Sequence, residues 1–124
     1  MEHKHFFEPT SLQALADRTL ALFARTSHPI AWSHCPVPQS AMSFLPDYYA
    51  PLKTLYPAMR EHGCELYLGV VVFDDPEGTQ ARIEEGKKVA PEFGVATGCG
   101  FGRTPATEIE GTMRLMKEVS EPVV

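Results

Sequence analysis

Cysteine is scarce: the 124 residues hold three, Cys35, Cys64 and Cys99, odd in number and far apart. A disulfide framework is not expected from that usage, and a reducing cytoplasmic compartment is the default. No two of them stand in a CxxC pair, so a self-contained Cys-rich zinc site is excluded by spacing. No apolar run approaches the ~20 residues that span a bilayer, and Met1-Glu-His-Lys-His5 lacks the charged-then-apolar order of a signal peptide. A membrane is therefore not an expected partner. Basic residues form no stripe and the net charge is -5, which argues against nucleic acid as partner. Internal repeats and low-complexity segments are missing too.

What remains is an ordinary globular composition, 44% apolar and 22% charged, in a chain long enough for one domain with a modest core. Thr10-Ser-Leu-Gln13 has the form of a capping box, and Leu12, Leu15, Ala16, Thr19, Leu22 and Phe23 fall at helical spacing, predicting a helix over 11–24. His28-Pro29 ends it. Residues 30–34 read as a short strand with Trp32 in the core, stopped by Cys35-Pro-Val-Pro38 because proline cannot continue a central strand. Residues 39–47 read as a loop, and Asp47 as the cap of a short helix reaching about Tyr56, which Pro57 either breaks or follows with a second turn ending at Gly63. Phe44, Tyr48, Tyr49 and Tyr56 read as packing. Glu65-Leu-Tyr-Leu-Gly-Val-Val-Val-Phe73 is nearly continuous in apolar residues, the signature of a strand in a parallel sheet. Asp74-Asp75-Pro76 ends it as a solvated turn with helix-capping acids. Thr79 is the expected cap of the next helix, with Ile83, Val89 and Ala90 inward and Gly86 weakening its middle.

A third strand is expected over 93–97. It runs into Gly98-Cys-Gly-Phe-Gly-Arg103, with Thr104 and Pro105 opening a last helix whose buried stripe is Ile109, Thr112, Met113, Met116 and Val119. Three glycines, Gly98, Gly100 and Gly102, alternate with Cys99 and Phe101. Glycine allows positive φ and close approach of a ligand, so the loop holds one thiol at a strand end facing a helix start. Beside it, Arg103 makes a generic anion site conceivable, with Gly98, Gly100 and Gly102 as its cradle. His34 and Cys35 lie at the end of the first strand, and Asp75, at the end of the second, is a candidate substrate-binding residue whose carboxylate beside that of Asp74 can also serve acid/base or metal work. His3, His5, His28 and His62 read as surface or packing histidines, and Cys64 is given no role. The alternation α-β-α-β-α-β-α gives an α/β fold with three parallel strands.

These motifs resemble a family. His3-Lys-His-Phe-Phe-Glu-Pro9, His34-x-Pro-Val-Pro38, Tyr49-Ala-Pro-Leu52, Glu65-Leu-Tyr-Leu-Gly69, Asp75 with Gly78-Thr79, and Phe93-Gly-Val-Ala-Thr97 with Cys99-Gly100 and Gly102-Arg103 occur in that order. Together they look like the C-terminal part of cobalamin-independent methionine synthase-like proteins, in the superfamily that also holds uroporphyrinogen decarboxylase. The resemblance covers nearly the whole chain. It implies a (β/α)8 barrel, which needs about 250 residues, so residues 1–124 would form a single partial-barrel domain carrying the last three βα units.

The resemblance also implies zinc-dependent methyl transfer from a folate-type donor to a small-molecule thiol such as homocysteine. Cys99 matches the family's zinc ligand on the last strand, and His34 lies where a further ligand is placed. Three positions depart from the family: Gly98 where relatives carry Glu, Cys35 where they carry Met, and Val72 where they carry His. The family's upstream His-x-Cys pair is absent, so at most His34 and Cys99 remain as ligands and activity alone is expected to be weak or nil. The other expectation is a non-catalytic relative, an interaction module whose open sheet is covered by a second copy or a partner.

Overall fold

The computed structural model describes residues 8–121. Helix α1 (Gln13–Arg25) leads into strand β1 (Trp32–Pro36), followed by a 3-10 turn over Gln39–Phe44, α2 (Leu45–Tyr49) and α3 (Leu52–Glu61). Strand β2 (Glu65–Val71), α4 (Pro76–Lys87) and β3 (Gly94–Thr97) come next, then a second 3-10 turn (Phe101–Arg103) and α5 (Ala106–Val119). The three strands are parallel in the order β1-β2-β3, with Trp32 opposite Glu65, His34 opposite Tyr67 and Leu68 opposite Val95. The fold is an open α/β sheet, as the alternation predicts.

Its two faces differ. Ser33, Cys35, Leu66, Leu68 and Val70 are buried on the helical side. Thr19 of α1 hydrogen-bonds Ser33 there, and Gly86 brings α4 so close that a Cβ at Gly86 would stand 3.1 Å from Leu68. That close approach accounts for a glycine in the middle of a helix. The opposite face is bare around Trp32, which with His34, Tyr67 and Ala96 lines an open cleft. Trp32 is 61% exposed, not core. Alternation along β1 puts it on the bare side.

Pro36 corrects the expectation that proline ends the first strand. Ala31 and Val37 make the ladder bonds to β2, through Glu65 N–H and the Gly69 carbonyl. By alternation, the even-numbered residues of β1 turn their N–H groups to the free edge, so a proline at 36 costs the sheet no bond. Pro57 sits inside α3 instead of breaking it. The carbonyl it deprives belongs to Lys53, which is exposed.

Helix starts differ in detail. Ser11, not Thr10, takes the Gln13 amide, and Asp75, not Thr79, caps α4. Pro105 occupies the cap position of α5 while Thr104 closes the preceding turn. On α5 the buried positions are Thr112 and Leu115, flanked by Met116 and Val119. Met113, one position off that stripe, is 57% exposed. Tyr48 and Tyr49 are fully buried packing residues whose hydroxyls donate to the carbonyls of Pro36 (2.7 Å) and Arg82 (2.8 Å). Burial pushes both phenols up. His62 stacks on Phe23 at 4.3 Å, as a packing histidine. His3, His5 and the 3–7 part of the family-like motif lie outside the described residues.

Candidate functional site

The bare face hollows into a cleft of about 380 Å³ that crosses the sheet, from Trp32 at the start of β1 past His34 and Tyr67 to the C-terminal end of β3 and the loop after it. Its β3 end opens at the C-terminal rim, where ligands bind in parallel α/β sheets. Trp32 and His34 of β1, Tyr67 of β2, Ala96 and Thr97 of β3, and Cys99 and Gly100 of the following loop line it. His34 and Cys99, named from the sequence on separate strands, are thus brought to one cleft.

His34 reaches across β2. Its Nε2 lies 3.0 Å from the Thr97 carbonyl on β3. A carbonyl can only accept, so Nε2 carries a proton, and in the neutral ring Nδ1 then holds the lone pair. Trp32 and Tyr67 meet edge to face, with centroids 6.4 Å apart. The Tyr67 hydroxyl donates to Glu65 at 3.2 Å, and that hydrogen bond to a carboxylate pushes the phenol up. Cys99 is exposed, and its carbonyl accepts from the Thr97 hydroxyl.

The glycine loop is plainer than its sequence suggests. None of Gly98, Gly100 and Gly102 takes positive φ. Among the described residues that region holds Gly63 (φ 65) and Asp74 (φ 55). A Cβ at any of the three loop glycines would meet nothing within 4 Å. Arg103 is exposed at the end of the 3-10 turn that separates the loop from α5.

Asp75 stands apart from the cleft lining. Its carboxylate accepts from the Gly78 amide (3.1 Å), Arg82 (3.1 Å) and Gln39 (3.5 Å). Burial pushes the Asp75 carboxyl up, but the Arg82 guanidinium, the Gly78 amide and Gln39 outweigh it and hold the group below its ordinary value. Arg82 is the residue sequence reasoning missed. It is 0% exposed, and it donates through Nε to the Val70 carbonyl at 2.8 Å and through the guanidinium to Asp75, Thr79 and the Met42 sulfur. Its spacing from Thr79 and Asp75, three and seven positions on one helix face, is the signal that was present.

No family model, curated protein or solved structure matches the chain.

The residues can be tested against the zinc that the resemblance implies. His34 has one ring nitrogen engaged and Cys99 is free, but among the described residues no group of three His, Cys, Asp or Glu side chains converges. A catalytic zinc takes three protein ligands. The described donor set does not make such a site by itself. No helix among the described residues is long and apolar enough to cross a membrane.

Proposed function

We propose that the chain serves as one sector of a methionine synthase-like (β/α)8 barrel and takes part in methyl transfer from a folate-type donor to a thiol such as homocysteine, with the remaining ligands and walls supplied by further polypeptide. The observation that carries this reading is the convergence of His34, from the middle of β1, and Cys99, from the loop after β3, on one cleft that reaches the C-terminal rim at β3. Sequential strand order with a helix between strands is how a barrel wall is built, and its chemistry sits at that rim. In this reading the bare face looks into the barrel, and Trp32 and Tyr67 wall the substrate space. The assembly purified through a tag on this chain would be assayed for methyl transfer from methyltetrahydrofolate to homocysteine. Activity is expected and is expected to be lost in Cys99→Ser. Activity indifferent to that substitution sinks the reading.

A second reading is favoured by the exposure of Trp32 on one face of a parallel sheet, a class normally covered on both faces. Here the chain is a non-catalytic interaction module, its bare face covered by a second copy or a partner. Light scattering separates the two: a 13.7 kDa monomer with no partner in extracts counts against it. The third reading, an anion held by Gly98–Arg103 with Arg103 as its charge, predicts a phosphate-induced thermal shift lost in Arg103→Ala.

A further inference from the structure

Gly69 lies between His34 and the end of β3. A Cβ built on it would stand 2.9 Å from His34 Nε2, 2.8 Å from the Thr97 carbonyl oxygen and 3.0 Å from the Gly98 Cα. Two of these three atoms are the donor and the acceptor of the His34–Thr97 hydrogen bond. The space that a side chain at 69 would fill is therefore the space in which the bridge runs. In register, Gly69 pairs with Pro36, two residues beyond the His34–Tyr67 pair, so the imidazole leans along β1 and over β2 to reach β3. The φ of Gly69 is not in the left-handed region, which leaves clearance, not backbone conformation, as the demand on this position.

We propose that Gly69 is a positioning residue: by leaving its side-chain volume empty, it lets His34 cross β2 and lock Nε2–H onto the Thr97 carbonyl. The lock fixes one neutral tautomer. Among the described residues Nδ1 has no hydrogen-bond partner, and it becomes the ring's open acceptor. A ligand that meets His34 in the cleft does so by giving a hydrogen to Nδ1, as a thiol or a hydroxyl can. An imidazole free to exchange tautomers would offer either nitrogen and either polarity; this one offers a single acceptor. The inference rests on reading the cleft as the functional site, but it concerns the ring alone and fails separately from the methyl-transfer assay.

The test is long-range proton–nitrogen NMR of the whole chain labelled at histidine nitrogen, recorded at about pH 8.5, well above an ordinary imidazole pKa. His34 is assigned by the resonances missing in His34→Ala. The expected spectrum shows Nε2 protonated and Nδ1 bare, with an Nε2 proton protected from exchange. A Gly69→Ala chain is expected to lose that protection and return to a tautomer mixture. Gly98→Ala, whose Cβ would meet nothing, is expected to keep the lock. A His34 protonated on Nδ1, or averaging between tautomers in the unaltered chain, overturns the proposal. So does a folded Gly69→Ala chain with the lock intact. Where Gly69→Ala proves too unstable for spectroscopy, the spectrum of the unaltered chain decides.

Discussion

At the end of β2 the chain turns through Asp74 and Asp75 into α4; at the end of β3 it turns through Gly98 to Arg103 into α5. Both turns leave the same rim of the same sheet. In the first, Asp74 bends the chain at φ 55, Asp75 caps the helix, and Arg82 ties the cap to the Val70 carbonyl, Thr79 and Met42. In the second, three glycines stand in open space and the thiol of Cys99 is exposed. The contrast teaches that one strand-to-helix turn can hold the fold together while its neighbour on the same rim carries almost none of that load. Sequence punctuation alone points the wrong way: the glycine-rich turn looks the more demanding, and it demands the less.

The sharpest way to break this comparison is at Arg82. Truncation in Arg82→Ala empties the volume of a fully buried side chain, orphans the Val70 carbonyl and takes the ion-pair partner from the part-exposed Asp75, and is expected to cost about 2–5 kcal/mol in urea unfolding, the range for truncating a large buried side chain. A cost like that of a surface residue would mean the first turn is not what holds this corner together. Asp75→Asn comes next, at about 1.5–3 kcal/mol, the range for hydrogen bonds to a charged group. It also carries a pH signature. The folded-state pKa of Asp75 is depressed, so its stabilisation is present above the unfolded carboxylate value of about 3.9 and is lost as pH falls through the lower folded value. The urea midpoint of the unaltered chain should drop in that acid window, and Asp75→Asn should flatten the drop.

On the other turn, Gly98→Ala, Gly100→Ala and Gly102→Ala meet no atoms and no positive φ, so each is expected to be neutral or to stabilise by about 0.4–1 kcal/mol through the unfolded chain. Clear destabilisation in thermal melts would show that the loop is conformationally exacting after all. Smallest of all, Cys99→Ser should move stability by less than about 0.5 kcal/mol. The same exposure predicts that Cys99 alone is alkylated by iodoacetamide in the native chain, read by mass. Cys35 is fully buried and burial pushes its thiol up to about 11, and Cys64 is buried as well.

How much of this was legible follows from where each signal lives. The apolar run of β2 and the alternation of elements depend on local composition, and the parallel sheet follows from them. The packing role of Tyr48 and Tyr49 was legible for the same reason. The site was legible only in part: Cys99 does follow the end of β3, but His34, expected at the end of the first strand, stands in the middle of β1, which runs on through Pro36, and the geometry was not legible at all. Nothing local says that Gly69 is empty so that an imidazole can pass over it. Trp32 was misplaced because a five-residue strand with apolar groups on both faces does not say which face the helices take. Arg82 was hidden because charge in a helix ordinarily means solvent, and its partners are set by tertiary contact with β2 and the Gln39–Phe44 turn.

Pro36 has a consequence for how this sheet meets others. The outer edge of β1 is lined by the N–H groups of the even-numbered residues, and at 36 there is none. Strand addition along that edge can draw donors only from Trp32 and His34, and it meets a gap where the ladder should continue. The two borders of the sheet are thus unequal in their invitation to a neighbour. Growth by edge pairing is blunted on the β1 side, which leaves the four-residue border of β3 as the more receptive one.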